Sequence, residues 1–156
     1  MKYSTLVALI GCSNAASFPA FDSFHAHCAI DYEVDTPCAD TYSTFKDTLD
    51  KFEDPASPQG SYASKQETEG AEIWVERTTA NKKYIDDVRF NFEQDGDKCK
   101  VAAQSRSQSL SYYDYNVNYC NMFNVMRTVY PDLQISDVKE SKCGYPADKI
   151  SICDRY

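Results

Sequence analysis

Ser105, Ser107, Ser109 and Ser111 recur at every second position. On a strand that spacing sets four hydroxyls on one face. Asp114 follows where a helix would be capped. Asn118, Asn121 and Asn124 then recur at three-residue steps, a stripe of amides along that helix. Asparagine is a mediocre helix former that prefers caps and turns, so such a stripe asks for a reason. One reason is a buried polar network, with amides tying the helix start to neighbouring backbone. The other is a site for a polar ligand such as a sugar. There the amides and a carboxylate give orienting hydrogen bonds, and Tyr112, Tyr113 and Tyr115 supply contact area. In that second reading the site centres on Ser107, Ser109, Tyr112, Tyr113, Asp114, Tyr115, Asn118 and Asn121.

Other chemistries find less support. His25-Ala26-His27-Cys28 offers three ligand types within four residues, a pattern that copper or zinc can use. Yet these are the only two histidines, they lie close to the expected start of the mature chain, and Cys28 is expected to be bridged. No metal site and no cofactor is therefore expected. The same histidines are the only imidazole bases for a serine nucleophile, neither falls in an expected element, and there is no Gly-x-Ser-x-Gly. With 24 acidic residues, pairs such as Asp86-Asp87 or Glu67 with Glu69 arise without selecting a reaction.

The elements that must carry these groups follow from periodicity. Cys28, Ile30, Tyr32 and Val34 alternate with Ala29, Asp31 and Glu33, a half-buried strand over 28–34. Thr36-Pro37 opens a helix, with Thr as cap and Pro in the first turn. Cys38, Tyr42, Phe45, Leu49 and Phe52 share its apolar face, and Pro55, Pro58 and Gly60 end it. Strands are expected over 61–67, 71–78, 84–93 and 98–110, with turns at Gly70, Ala80-Asn81 and Asp95-Gly96-Asp97. A second helix spans 114–130, with Tyr115, Tyr119, Met122, Met126 and Val129 on one face, and stops at Pro131. Short strand-like pieces follow near 133–138 and 149–154. The order β-α-β-β-β-β-α-β-β predicts an α+β fold, an antiparallel sheet with two main helices packed on it.

Lys2, an apolar run from Thr5 to Gly11 and small residues from Ser13 to Ser17 describe a secretory signal over 1–15. A mobile segment over 16–26 and a single domain over 27–156 are expected to follow. Leu9-Ile10-Gly11-Cys12 also fits a bacterial lipobox, and in a bacterial source Cys12 would carry a lipid anchor. Past the signal six cysteines remain: Cys28, Cys38, Cys99, Cys120, Cys143 and Cys153. An even number in an exported chain implies disulfides, with pairing left open by sequence. No apolar run reaches the ~20 residues of a membrane span. The net charge of −8 repels nucleic-acid phosphate and anionic membrane.

Asp86-Asp87-Val88-Arg89-Phe90, Ser107-Gln108-Ser109 and the Asp114…Asn118 pair together resemble a family known only as domain of unknown function 1499. The likeness runs over roughly 36–130. The family's Arg after the serines is Leu110 here, one extra residue separates the serines from Asp114, and the six cysteines are additional. The resemblance implies the fold and marks Asp114 and Asn118; it implies no reaction. The expected product is a secreted, acidic, disulfide-stabilised module that binds an extracellular ligand or protein without catalysis. An extracellular carboxylate enzyme using Asp114, or a structural coat or matrix component, are the alternatives. Oligomeric state is open.

Overall fold

The computed structural model describes residues 16–54, 60–132, 138–143 and 153–154. The expected signal, and most of the pieces near 133–138 and 149–154, lie outside the described residues. The chain folds as β1 (His27–Val34), α1 (Cys38–Lys51), β2 (Ser61–Thr68), β3 (Glu72–Thr78), β4 (Ile85–Asp95), β5 (Lys98–Ser107), α2 (Val117–Val129) and β6 (Lys139–Glu140). This is the α+β arrangement expected from periodicity. The strands form one antiparallel sheet in the order β2-β3-β4-β5-β1-β6. β2 to β5 run as a meander, because each connection is a short turn. β1 crosses over to pair with β5, in register from His27 opposite Arg106 to Val34 opposite Cys99.

Alternation then decides the layers. Ile30, Tyr32, Val75, Val88, Phe90, Phe92 and Val101 point inward and meet both helices. Phe45 on α1 packs edge-on against Phe90 and Phe92 at 5.1 and 5.3 Å between centroids. Such pairs contribute about 0.5–1.5 kcal/mol beyond their burial. α2 is buried on more sides than one apolar face requires: every residue from Asn118 to Met126 is buried. The helix packs on the sheet beside α1 and touches it, and Asn124 reaches Cys153.

Several boundaries differ from expectation, each for a visible reason. α1 begins at Cys38 with Pro37 in the cap position, and Thr36 makes no capping bond. The cap comes from far away in sequence, because Cys38 N donates to Gln94 Oε1 of β4 at 2.7 Å. β5 ends at Ser107 rather than 110, so the serine alternation stays on a strand only through Ser105 and Ser107. α2 starts at Val117 rather than 114, since Tyr115 and Asn116 take left-handed φ of 49° and 64°. Tyr115, expected on the apolar helix face, is consequently 72 % exposed.

The six cysteines pair as Cys28–Cys143, Cys38–Cys99 and Cys120–Cys153. These bridges fasten β1 to the chain after β6, α1 to β5, and α2 to the C-terminal segment. Each closes a loop long enough to contribute about 3–5 kcal/mol by restricting the unfolded chain. On the outer face of the sheet, residues 16–26 pack as a strap. Phe18 meets Trp74 edge-on at 5.5 Å and lies under the Arg89 guanidinium at 4.5 Å. Asp22 accepts a hydrogen bond from Arg106 Nη2 at 2.8 Å.

Candidate functional site

Register explains why a site forms at one end of the sheet. The inward rows across β3, β4 and β5 begin apolar, with Ile73 opposite Phe90 and Phe90 opposite Ala103. The next row is Val75, Val88 and Ser105, and the last is Arg77, Asp86 and Ser107. Three neighbouring strands thus turn from apolar to polar at the same edge of the core. The polar row lines a cleft of about 500 Å³. Its other walls are the β3–β4 turn, through Thr79, Ala80, Asn81, Tyr84 and Ile85, and residues from Ser109 to Val117 leading into α2.

Arg77 and Asp86 are only 2 % and 1 % exposed, and Arg77 Nη1 lies 3.9 Å from Asp86 Oδ2. Burying that many charged atoms is costly unless they are paired and hydrogen-bonded. Asp86 meets the requirement: it accepts Ser107 Oγ–H at 2.7 Å and Asn121 Nδ2–H at 2.9 Å. Space for Arg77 comes from Gly60, at φ +87°, where a Cβ would collide with the Thr78 carbonyl and crowd the Arg77 side chain. Beneath them Tyr62 Oη donates to the Asn121 carbonyl at 2.9 Å, and burial pushes the Tyr62 pKa up to about 12.

Asp114 is held from the other wall. The left-handed turn at Tyr115 and Asn116 folds it back over the start of α2. Its Oδ1 accepts the Asn118 backbone N–H at 3.0 Å and the Asn118 amide at 2.6 Å. One of the unpaired N–H groups of the helix start is satisfied in this way. Oδ2 takes no hydrogen bond among the described residues, and Asp114 has no ion-pair partner there either. Burial raises the Asp114 pKa above the ordinary carboxylate value; the Asn118 bonds pull against that, and the charge of Asp86 adds to it.

The amide stripe connects the two carboxylates. Ser105 Oγ donates to Asn118 Oδ1 at 2.7 Å and accepts from Asn121 Nδ2 at 3.1 Å. A continuous path therefore runs from Asp114 through Asn118, Ser105 and Asn121 to Asp86 and Ser107. Asn118 and Asn121 are 0 % and 1 % exposed, so they sit behind the cleft wall and orient what faces it. Of the residues singled out in the sequence, the cleft gathers Ser107, Ser109, Tyr113, Asp114 and Tyr115. Tyr112 is exposed outside the lining. Arg77, Tyr84 and Leu110 line it without having been singled out as site residues, and Asp86 had been named only in a nonspecific acid pair and in the strand motif of the family resemblance. Their signal was present: Arg77 and Asp86 occupy inward positions of strands whose other inward positions are apolar.

The histidines lie elsewhere. His25 Nδ1 donates to Asp22 at 2.8 Å, His27 Nδ1 donates to the His25 carbonyl at 2.8 Å, and Cys28 is bridged. Among the described residues no group of three metal-ligating side chains comes together. No described helix is long and apolar enough to cross a membrane.

A search of curated proteins finds no match. Among solved structures, the crystal structure of CalU16 from Micromonospora echinospora is similar, with a TM-score of 0.50 at 11 % identity over 70 % of this chain and 78 % of that one. The likeness is one of fold. The family described as Protein of unknown function (DUF1499) matches residues 14–127, taking in the strap, the whole β1–β5 sheet and most of α2. By that match the chain belongs to the DUF1499 family.

Proposed function

We propose that this chain is an exported binding module, and that the cleft between the Arg77–Asp86–Ser107 row and the 109–117 segment holds a small organic ligand. The observation that carries the reading is the construction of the cleft. A volume of about 500 Å³ falls in the range of small-molecule sites. Its base carries a few buried polar groups, of which Asp86 and Asp114 are held by dedicated hydrogen bonds, and its rim carries Tyr84, Leu110, Tyr113 and Tyr115, all substantially exposed. A purely structural polar cluster has no use for an open, aromatic-edged cleft in front of it. Three disulfides agree with folding in an oxidising compartment, which supports export.

A second reading has one specific observation in its favour. Asp114 is a buried cleft carboxyl with a raised pKa, the condition that prepares an acid or base for catalysis. Binding without turnover is preferred because Asp86, the second carboxylate, is committed to Arg77, Ser107 and Asn121.

Amide-resolved NMR with a panel of neutral, cationic and anionic fragments tests the site. Shifts should concentrate at residues 79–86 and 107–117. Shifts confined to other surfaces, or no shifts with any fragment, would refute the cleft as a binding site.

A further inference from the structure

Resting on the cleft as a small-molecule site, we infer that its ligand is an organic cation, an amine carried as ammonium, received by Asp114. The argument begins with charge. The cleft is lined by one cation and two carboxylates, and Arg77 is matched by Asp86 across the sheet register. Asp114 is the carboxylate left over. It is nine-tenths buried, one oxygen is fixed by Asn118, and the other has no partner among the described residues. That second oxygen is open to a donor entering the cleft, and a donor carrying positive charge is the strongest complement to a carboxylate.

The rim points to the same sign. Tyr113 and Tyr115 line the same cleft as Asp114, with ring centroids 6.1 Å apart, and are 63 % and 72 % exposed. Ring faces attract ammonium groups and their neighbouring methylenes. The third rim ring, Tyr84, already has the Lys83 ammonium over it at 4.9 Å, so Tyr113 and Tyr115 are the rim rings left to a ligand. The net charge of −8 further raises the local concentration of cations over anions. An anionic ligand would bring a like charge beside Asp114, and a neutral polyol would leave the Asp114 charge uncompensated.

Benzylammonium, benzyl alcohol and benzoate share one ring and differ in charge, and NMR titration of the intact, disulfide-bonded protein separates them. Benzylammonium should move the amides of Ser109–Val117 and bind about tenfold more tightly than the alcohol, the ratio expected of one charge-assisted hydrogen bond. Asp114→Asn keeps an acceptor for Asn118 and should erase that tenfold preference of ammonium over alcohol. Tyr113→Leu alters an exposed ring, leaves the core untouched, and should weaken the ammonium more than the alcohol. If alcohol or benzoate binds as well as the ammonium, or if the preference survives Asp114→Asn, the cation inference falls and the cleft as a site stands. If none of the three probes moves the cleft amides, both fall together.

Discussion

Asp114 does two things with its two oxygens. Oδ1 closes the start of α2 and Oδ2 is left to the cleft, so substitutions at this position separate stability from binding. Asp114→Ala removes the acceptor and strands a buried amide and a helix N–H. It should lower unfolding free energy by about 1–3 kcal/mol, read from the urea midpoint. Asp114→Asn should cost under about 1 kcal/mol, since its Oδ1 replaces the lost acceptor and a buried charge disappears. Equal losses from the two variants would show that the charge itself holds the helix start. At this scale the sequence was partly legible. Asp114 was read as the cap of a helix starting at 114; it does bond the helix start, but through Asn118 of a helix that begins at Val117. The partner of Asp86 was not legible, because one acid among 24 gains meaning only when the register sets Arg77 and Ser107 beside it.

Elements were read well from alternation and less well at their ends. Strand faces followed from period two, and every inward residue of β4 from Val88 to Phe92 belongs to the core. Ends depend on tertiary partners that periodicity does not encode. Thr36 looks like the cap of α1 from its type and place, yet the Cys38 N–H is satisfied by Gln94 from a strand 56 residues away in sequence. Gln94 also donates to the Gly96 and Lys98 carbonyls at 2.9 and 2.8 Å, holding the β4–β5 turn. Gln94→Ala should therefore cost more than a surface substitution, about 1–2 kcal/mol in chemical denaturation. Thr36→Ala should cost under about 0.5 kcal/mol. The reverse order would return the cap to Thr36. The amide stripe shows the same principle on α2. Its spacing was visible, but both of its readings fit until the surroundings showed Asn118 and Asn121 behind the wall and Asp114 in front of it.

At the scale of the molecule, an inner face built for packing and a cleft is backed by an outer face covered by the strap. Trp74 is the sole tryptophan and lies beneath Phe18, so its fluorescence reports whether the strap is docked. Hydrogen bonds from Arg106 and His25 hold the Asp22 carboxyl well below its ordinary range. A depressed folded-state pKa means the contribution is present above the unfolded value near 3.8 and is lost as pH falls through the lower folded value. Trp74 emission should therefore stay constant from neutral pH down to about 4 and change only below it. Asp22→Ala should give the undocked emission already at neutral pH, and no change in that variant would place the anchor of the strap elsewhere. Neither this strap nor the disulfide pairing was legible in the sequence, since both depend on which segments meet across the finished sheet.

A crystal structure of the disulfide-bonded protein soaked with benzylammonium bears most directly on the cleft. The fragment should lie between the 109–117 segment and the Arg77–Asp86–Ser107 row, its nitrogen about 3 Å from Asp114 Oδ2. Density for the fragment only on other surfaces, or the 109–117 segment closed down on the polar row with no cleft left between them, would contradict the account.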